Sequence, residues 1–130
     1  MAEDKKQKWR RGKIAANRAS DSTSIPGVKA LIYGDTGLAV NPFPPKKGGR
    51  YLNVTHIGTG MRIGPEFKSP AQAKLGCVAL AMLTNWNGLD KSNLTTELGN
   101  RVRLARKCID AYGKDWRPYF VAMRLGVEAP

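Results

Sequence analysis

Four basic side chains within seven residues of this chain could bind phosphate oxygens. They are Arg101, Arg103, Arg106 and Lys107. No Asp or Glu lies between residues 100 and 109 to neutralise them. Guanidinium and ammonium groups form charge-assisted hydrogen bonds to phosphate, and like charges one helical turn apart repel each other until an anion joins them. The cluster therefore predicts a site for a polyanion; the alternative is a solvated helix face in a basic protein.

A second candidate site is a hairpin flanked by basic residues, which are Arg50, Arg62 and Lys68. The segment between them carries three further polar or aromatic side chains: Tyr51, Thr55 and His56. A two-stranded ribbon can enter a major groove and read base edges, and an exposed aromatic ring can stack on unpaired bases. His56 itself is interpreted as a half-buried sheet residue rather than a catalytic base.

The third candidate site is the start of the chain, which contains Lys8, Trp9, Arg10 and Arg11. A tryptophan in a disordered basic arm has no core to join. It could stack on a base or insert into an apolar groove of a partner protein. An incidental exposed tryptophan is the alternative.

Catalytic motifs are weak in this sequence. Asp35-Thr36-Gly37 matches the short signature of aspartic proteases, but Asp, Thr and Gly are also typical of a hairpin turn. Gly58-x-Gly60 lacks the lysine of a phosphate loop and indicates a tight turn. With one histidine and two distant cysteines, Cys77 and Cys108, a zinc site has no ligand set. We therefore expect a protein that is not an enzyme, without cofactor or metal, with both thiols buried and reduced.

The net charge of +12 on 130 residues bounds the class of partner. Residues 1–24, 25–68 and 69–130 each carry a net charge of +4, so the folded part must be positive as well. A positive folded surface attracts DNA, RNA or the proteins that handle them. The basic start is not followed by a signal-like apolar stretch, and no apolar run is long enough to cross a bilayer. We expect a cytoplasmic protein with neither a membrane nor a small molecule as its partner.

The elements that position these residues follow from the local patterns. Residues 1–24 lack periodicity and predict a flexible basic arm, and residues 25–130 predict one compact domain. The apolar runs Val28–Tyr33 and Leu38–Val40 predict a first hairpin around Gly34–Gly37. The segment Asn41–Gly49, rich in Pro and Gly, predicts an irregular connection. A second hairpin is then predicted, with strands over Arg50–Ile57 and Met61–Ile63.

Helices are predicted for the rest of the chain. Ser69, followed by Pro70 and Gln72, is typical of a capping box, and it opens a helix that ends near Thr84–Asn85. Its predicted buried stripe is Leu75, Val78, Ala79, Met82 and Leu83. A second helix is predicted over Asn93–Tyr112, with Gly113 as its terminating residue. Its predicted stripe is Leu94, Leu98, Val102, Ala105, Ile109 and Tyr112. Trp116–Val127 fits either a short helix or a strand.

The predicted fold class is α+β: antiparallel hairpins with about four short strands, followed by two to three helices packed on one face. The passage from Met61-Arg62-Ile63-Gly64 through Phe67-Lys68-Ser69-Pro70 into an Ala-rich helix is loosely similar to small β-sheet DNA-binding domains of the AP2/integrase type. That resemblance covers about 30 residues and implies a sheet that contacts DNA.

The predicted function is binding of nucleic acid without catalysis, through phosphate contacts of the basic helix and the arm. The alternative is a small phage- or plasmid-type adaptor or inhibitor that binds a nuclease, a polymerase or a CRISPR effector complex. A third possibility is a ribosome-associated protein. The sequence leaves open whether the ligand is DNA or RNA.

Overall fold

A computed structural model describes residues 8–17, 23–42, 49–64 and 66–125, which form the predicted α+β fold. Four antiparallel strands lie side by side in chain order: β1 (Trp9–Asn17), β2 (Ser24–Tyr33), β3 (Leu38–Pro42) and β4 (Tyr51–His56). Three helices follow: α1 (Pro70–Ala81), α2 (Thr96–Tyr112) and α3 (Trp116–Leu125). Short 3-10 turns precede α2 and α3, at Lys91–Asn93 and Gly113–Asp115. No helix in the described part of the chain is both long and apolar enough to cross a membrane.

The prediction of a flexible arm over residues 1–24 is wrong for Trp9–Asn17, which forms β1. This strand pairs with β2 in antiparallel register, from Trp9 opposite Tyr33 to Asn17 opposite Ser24. Ile14 is buried, and the Trp9 ring lies 4.6 Å from the Tyr33 ring. The basic composition of the segment concealed this short apolar alternation. The rest of the predicted arm, residues 1–7 and 18–22, lies outside the described residues.

The sheet curls so that its first strand reaches the turn that follows its last strand. The Asn17 backbone N–H donates to the Gly60 carbonyl at 2.8 Å, and the Asn17 amide donates to the Thr59 carbonyl at 3.3 Å. The concave face encloses its own small apolar core, which comprises Ile14, Ala16, Val28, Ala30, Ile32 and Ala39. The larger core lies on the other face, between the sheet and the helices.

The first predicted hairpin is confirmed as β2 and β3. Its turn is stabilised by Thr36, whose hydroxyl donates to the Tyr33 carbonyl at 2.7 Å and accepts from the Leu38 N–H at 3.3 Å. Gly37 has a φ of +83°, a conformation that favours glycine. The sequence Asp35-Thr36-Gly37 therefore forms a turn.

The second predicted hairpin forms, but its return arm is shorter than expected. Met61–Ile63 makes a single bridge, between Thr55 and Arg62, instead of a strand. Hydrogen bonds from Ile63 N to Val54 O and from Phe67 N to Leu52 O, both at 2.8 Å, keep the returning chain beside β4. Part of the predicted irregular segment Asn41–Gly49 belongs to β3, which ends at Pro42, and residues 43–48 lie outside the described residues.

Helix α1 begins as predicted, since the Ser69 hydroxyl accepts from the Gln72 N–H at 3.1 Å. The reciprocal half of the capping box is absent, because Gln72 Oε1 has no hydrogen-bond partner. The predicted stripe is partly wrong: Leu75, Val78 and Met82 are only half-buried. The buried residues of the helix are Ala73, Gly76, Cys77, Ala79 and Leu80, of which only Ala79 belongs to the predicted stripe.

Phe67 explains this choice of face. A Cβ atom on Gly76 would lie 2.1 Å from Phe67 Cζ, so only glycine lets the ring lie against the helix. Every residue from Leu75 to Ala81, the end of the helix, is apolar or small, and the hydropathy of this half therefore does not select one face. The close contact between Gly76 and the Phe67 ring determines which face of the helix is buried.

Helix α2 begins at Thr96, three residues later than predicted, because Asp90 caps a separate 3-10 turn over Lys91–Asn93. The helix ends at Gly113, with a φ of +53°, as predicted. Leu98, Ala105 and Ile109 are buried as expected. The rest of the predicted stripe is more open: Leu94 and Val102 are half-buried, and Tyr112 is exposed.

The last helix and the cysteines complete the core. The ambiguous segment is helical, as α3, and Trp116 and Phe120 are buried in the core. Cys77 and Cys108 are both buried and free, as predicted. Burial raises the pKa of the Cys77 thiol well above its usual range, because the thiolate would lose its hydration.

We predict that Gly60→Ala destabilises the protein by about 2–3 kcal/mol, because an added Cβ strains a backbone with a φ of +72° and lies 2.8 Å from Asn17 Oδ1. Gly27→Ala is the matched control, since its φ is +70° but nothing lies within 4 Å of the added Cβ. It should cost about 1 kcal/mol, from backbone strain alone. Urea unfolding measures both, and equal costs would show that the contact between β1 and the turn after β4 contributes nothing.

Candidate nucleic-acid interface

The predicted basic row on α2 does not form one exposed surface, because the Arg106 side chain contacts other parts of the protein. Its guanidinium donates to the Glu66 carbonyl at 2.6 Å and to the Asp110 carboxylate at 3.2 Å. It also lies 4.0 Å from the centre of the Phe67 ring. Its side chain is only 16% exposed. Arg106 therefore fastens α2 to the chain that precedes α1, and the prediction that it belongs to a free phosphate face is wrong.

The other basic residues of the row are exposed but differ in their contacts. Arg101 forms an ion pair with Glu97 at 2.7 Å, one turn earlier on the helix. Glu97 lies just outside the interval without acidic residues, but its spacing of four residues from Arg101 was the available sequence signal for this pair. Arg103 donates to the Asn100 side chain, which is neutral. Arg103 and Lys107, one turn apart, are the exposed cations of the row that form no ion pair within the described residues.

A groove brings these two cations together with Arg62 of the returning chain after β4. We call it the α2 groove: a cavity of about 530 Å³ between residues 61–64, Trp86 and the first three turns of α2. Its floor is apolar and is formed by Met61, Ile63, Leu94, Leu98 and Val102. The structure thus places basic residues from two of the predicted sites on one rim.

A second basic surface, which the sequence analysis only partly identified, lies on the β1–β2 pair. Lys13 of β1 is directly opposite Lys29 of β2. Because side chains alternate along a strand, Arg11 and Lys13 share the sheet face of Trp9, which packs against the main core. Lys74 of α1 extends over the same end of this face, with its Nζ 5.6 Å from the Trp9 ring. We call Arg11, Lys13, Lys29 and Lys74 the ribbon patch.

The electrostatics of the ribbon patch are unfavourable in the isolated protein. Like charges directly opposite each other on paired strands destabilise the sheet, whereas opposite charges stabilise it. Neither β1 nor β2 contains an acidic residue. Arg11, Lys13 and Lys29 are all exposed, so their charges lie in solvent where an anion can reach them.

Trp9 does not have the role predicted for it. Its ring packs on Tyr33 and beneath Lys74, and it is half-buried against the core. It therefore fixes one end of β1 and does not act as a mobile group for stacking on bases. The prediction failed because the arm was expected to have no core to join.

The side chains expected to read bases from the second hairpin are also internal. Thr55 and His56 are 2% and 1% exposed. His56 is hydrogen-bonded through both ring nitrogens, to the Trp86 carbonyl at 2.7 Å and to the Thr59 hydroxyl at 2.8 Å. Tyr51 is half-buried against the core. These residues hold the hairpin to the core, and Thr55 and His56 are not exposed for reading base edges.

The remaining predicted site residues are exposed but dispersed. Arg50 and Lys68 lie near the same end of β4, because Phe67 bonds to Leu52. Arg10 points to the opposite sheet face from Arg11 and borders a cavity of about 500 Å³ beside the β2–β3 turn. The carbonyl of Lys8 accepts from Gly34 N at 2.9 Å, just before β1. The predicted residues thus do not form one continuous site.

The residues that the sequence analysis missed are Lys13, Lys29 and Lys74. The alternation of basic and small or apolar residues over Arg11–Ala16 was the available signal for a strand with one charged face. The pairing of Lys13 with Lys29 depends on strand register and could not be deduced from either strand alone. Across the described residues, no cluster of three His, Cys, Asp or Glu side chains could hold a metal ion.

The comparisons with known proteins identify no relative. No protein-family model matches the chain, and neither the curated proteins nor the solved structures searched gave a match. The functional argument therefore rests on the geometry alone.

We predict that Arg106→Gln lowers the free energy of unfolding by about 1–2 kcal/mol, because it removes the hydrogen bond to Glu66, the contact with Phe67 and the ion pair with Asp110. Arg103→Gln, three residues earlier on the same helix, is the control and should change it by less than about 0.5 kcal/mol. Denaturant unfolding tests both. A neutral Arg106→Gln would refute the structural role of Arg106.

Proposed function

We propose that this protein binds the phosphate backbone of nucleic acid through the ribbon patch, without catalysis. The observation that carries the proposal is the pairing of Lys13 with Lys29 across β1 and β2. Arg11 lies two residues along the same face, and Lys74 adds a fourth cation from α1. The proposal keeps the predicted class of ligand and part of the predicted N-terminal site. The proposal assigns phosphate binding mainly to the β1–β2 pair, whereas the sequence analysis assigned it mainly to α2.

The physical support is that a bound polyanion removes a repulsion that the free protein must tolerate. Two opposed lysines on a sheet cost stability, and phosphates placed between them convert that cost into attraction. The net charge of +12 also attracts a polyanion to the protein. On this proposal the protein acts in the cytoplasm, where nucleic acid is accessible to it.

The chemistry of the patch favours contact with the backbone over readout of bases. Ammonium and guanidinium groups bind phosphate oxygens whatever the base, and the nearest aromatic ring, Trp9, is packed on Tyr33. Affinity should therefore depend strongly on salt and weakly on sequence. Duplex DNA, single-stranded DNA and RNA all present this backbone, and direct titration ranks them.

We predict that the logarithm of the binding constant falls against the logarithm of salt concentration with a slope of about −3.5 on duplex DNA and about −3 on single strands, as expected when four cations neutralise phosphates. Replacing Arg11, Lys13 and Lys29 together by Gln should bring the slope close to −1 and weaken binding, with no loss of folded structure by circular dichroism. Fluorescence anisotropy with labelled oligonucleotides at several salt concentrations measures the slope.

The matched control removes the same number of charges elsewhere: Arg103→Gln, Lys107→Gln and Lys114→Gln, all at exposed positions on or just after α2. This variant should keep the steep slope. If the control flattens the slope and the ribbon variant does not, phosphate binding belongs to α2 and the ribbon patch is wrong. If neither protein binds any of the three nucleic acids at low salt, the proposed function is wrong.

A further inference from the structure

The α2 groove differs from the ribbon patch because its floor is apolar. Ile63, Leu98 and Val102 contribute side chains that gain nothing from a phosphate backbone. Trp86 borders the groove but is only 1% exposed, and its indole N–H donates to the Leu80 carbonyl at 2.8 Å. The groove therefore offers no exposed aromatic ring on which a base could stack. An occupant must have an apolar face.

The charges around the groove are of one sign. Arg62, Arg103 and Lys107 are exposed on its rim, and among the described residues that line the groove none is acidic. An occupant that buries an apolar face on the floor and carries carboxylates along its edges would match both features. Charge complementarity thus selects an acidic amphipathic partner.

Gly99 provides an independent indication that a partner approaches closely. It lies inside α2, where glycine is less favourable than alanine, and it lines the groove. A Cβ atom built on Gly99 meets nothing within 4 Å, so no contact inside the protein requires a glycine. By contrast, Gly64 on the opposite wall has a φ of +74° and needs glycine for its own backbone. The absence of a side chain at Gly99 keeps the middle of the floor open.

The shape of the groove suits a helix. From Thr95 to Lys107 it follows one face of α2, through residues three and four positions apart, over a length of about 18 Å. An amphipathic helix of about three turns laid along this face would place its apolar side on the floor and its acidic side chains beside the rim. A helix can pack at short range where its neighbour carries glycine.

We infer that the α2 groove is the docking site for an acidic amphipathic helix of a partner protein. This inference is independent of the proposed nucleic-acid binding, since it uses a different surface and different residues. Together the two surfaces would let the protein join a nucleic acid to a second protein.

The direct test uses a synthetic peptide with leucines at helical positions i, i+3, i+4 and i+7 and glutamates at the flanking positions, labelled for fluorescence anisotropy. We expect saturable binding to the full chain. A second peptide, with lysine in place of every glutamate, should bind at least tenfold more weakly. Absence of binding by the acidic peptide, or equal binding by both peptides, would overturn the inference.

Variants locate the binding. Gly99→Leu places a side chain in the groove, and its Cβ atom meets nothing within 4 Å. It should weaken binding of the acidic peptide at least tenfold, whereas Gly99→Ala should have a smaller effect. If Gly99→Leu does not fold, the double variant Arg103→Gln and Lys107→Gln should weaken the peptide and reduce the salt dependence of its binding. The ribbon variant, with Arg11, Lys13 and Lys29 changed to Gln, loses three charges and should bind the peptide as the wild type does.

Two results would overturn the assignment of the groove. If the ribbon variant loses affinity for the acidic peptide as completely as the groove variants do, the peptide binds through the overall positive charge of the protein and not through the groove. A second ligand, dodecanoate below its micelle concentration, tests the class of occupant. If dodecanoate binds to the wild type but not to Gly99→Leu, and the peptide binds to neither, the groove binds a small apolar anion and not a helix.

Discussion

The antiparallel pairing of β1 with β2 is the constraint on which the rest of the structure depends. It places Ile14 and Ala16 on the concave face, where they complete the smaller core. It brings Asn17 to Gly60, so that the sheet curls. The same register fixes Lys13 opposite Lys29 on the other face. One set of backbone hydrogen bonds therefore creates both the closure of the sheet and the concentration of charge proposed to bind phosphate.

Helix α2 shows how a row of similar residues can be divided among different tasks. Arg106 reaches the chain before α1 and lies over Phe67, whose ring in turn fits against Gly76 of α1. This series of contacts fixes the position of α2 relative to α1. The position of α2 in turn defines the groove between the helix and Ile63. Arg103, one turn earlier, is left on the rim. The number of charges in the row could not predict which of these side chains bind within the protein and which stay on the rim, because that depends on the groups within reach of each guanidinium.

Features of the fold that are set by neighbouring residues could be predicted from the sequence. The turn around Thr36, the cap at Ser69 and the termination at Gly113 use side chains or backbone conformations within a few residues of each other. The α+β class and three of the four strands, β2, β3 and β4, followed from the same local signals, whereas the predicted strand over Met61–Ile63 makes only a single bridge. The extent of β1 did not follow from these signals, because its strand pairing is decided by contacts with β2 and by closure onto Gly60, 43 positions from Asn17.

The candidate site was harder to predict from the sequence, because it too depends on contacts between residues that are distant in the chain. Arg11 was included because it is basic, but its importance comes from Lys13, Lys29 and Lys74, which three different elements supply. Conversely, His56 has the chemistry of a functional residue and is fully occupied by internal hydrogen bonds. The composition directed attention to a polyanion, which stays a hypothesis. Strand register and helix packing then decided which cations remain together in solvent.

The most direct test of the central claim is residue-by-residue mapping of nucleic-acid contact by NMR. In a titration of the isotope-labelled protein with a short duplex at low salt, the largest amide shift changes should fall on β1 and β2 around Arg11, Lys13 and Lys29, and at Lys74 of α1. The amides of α2 from Arg101 to Lys107 should change little. Shifts concentrated on α2, with β1 and β2 unmoved, would contradict the account.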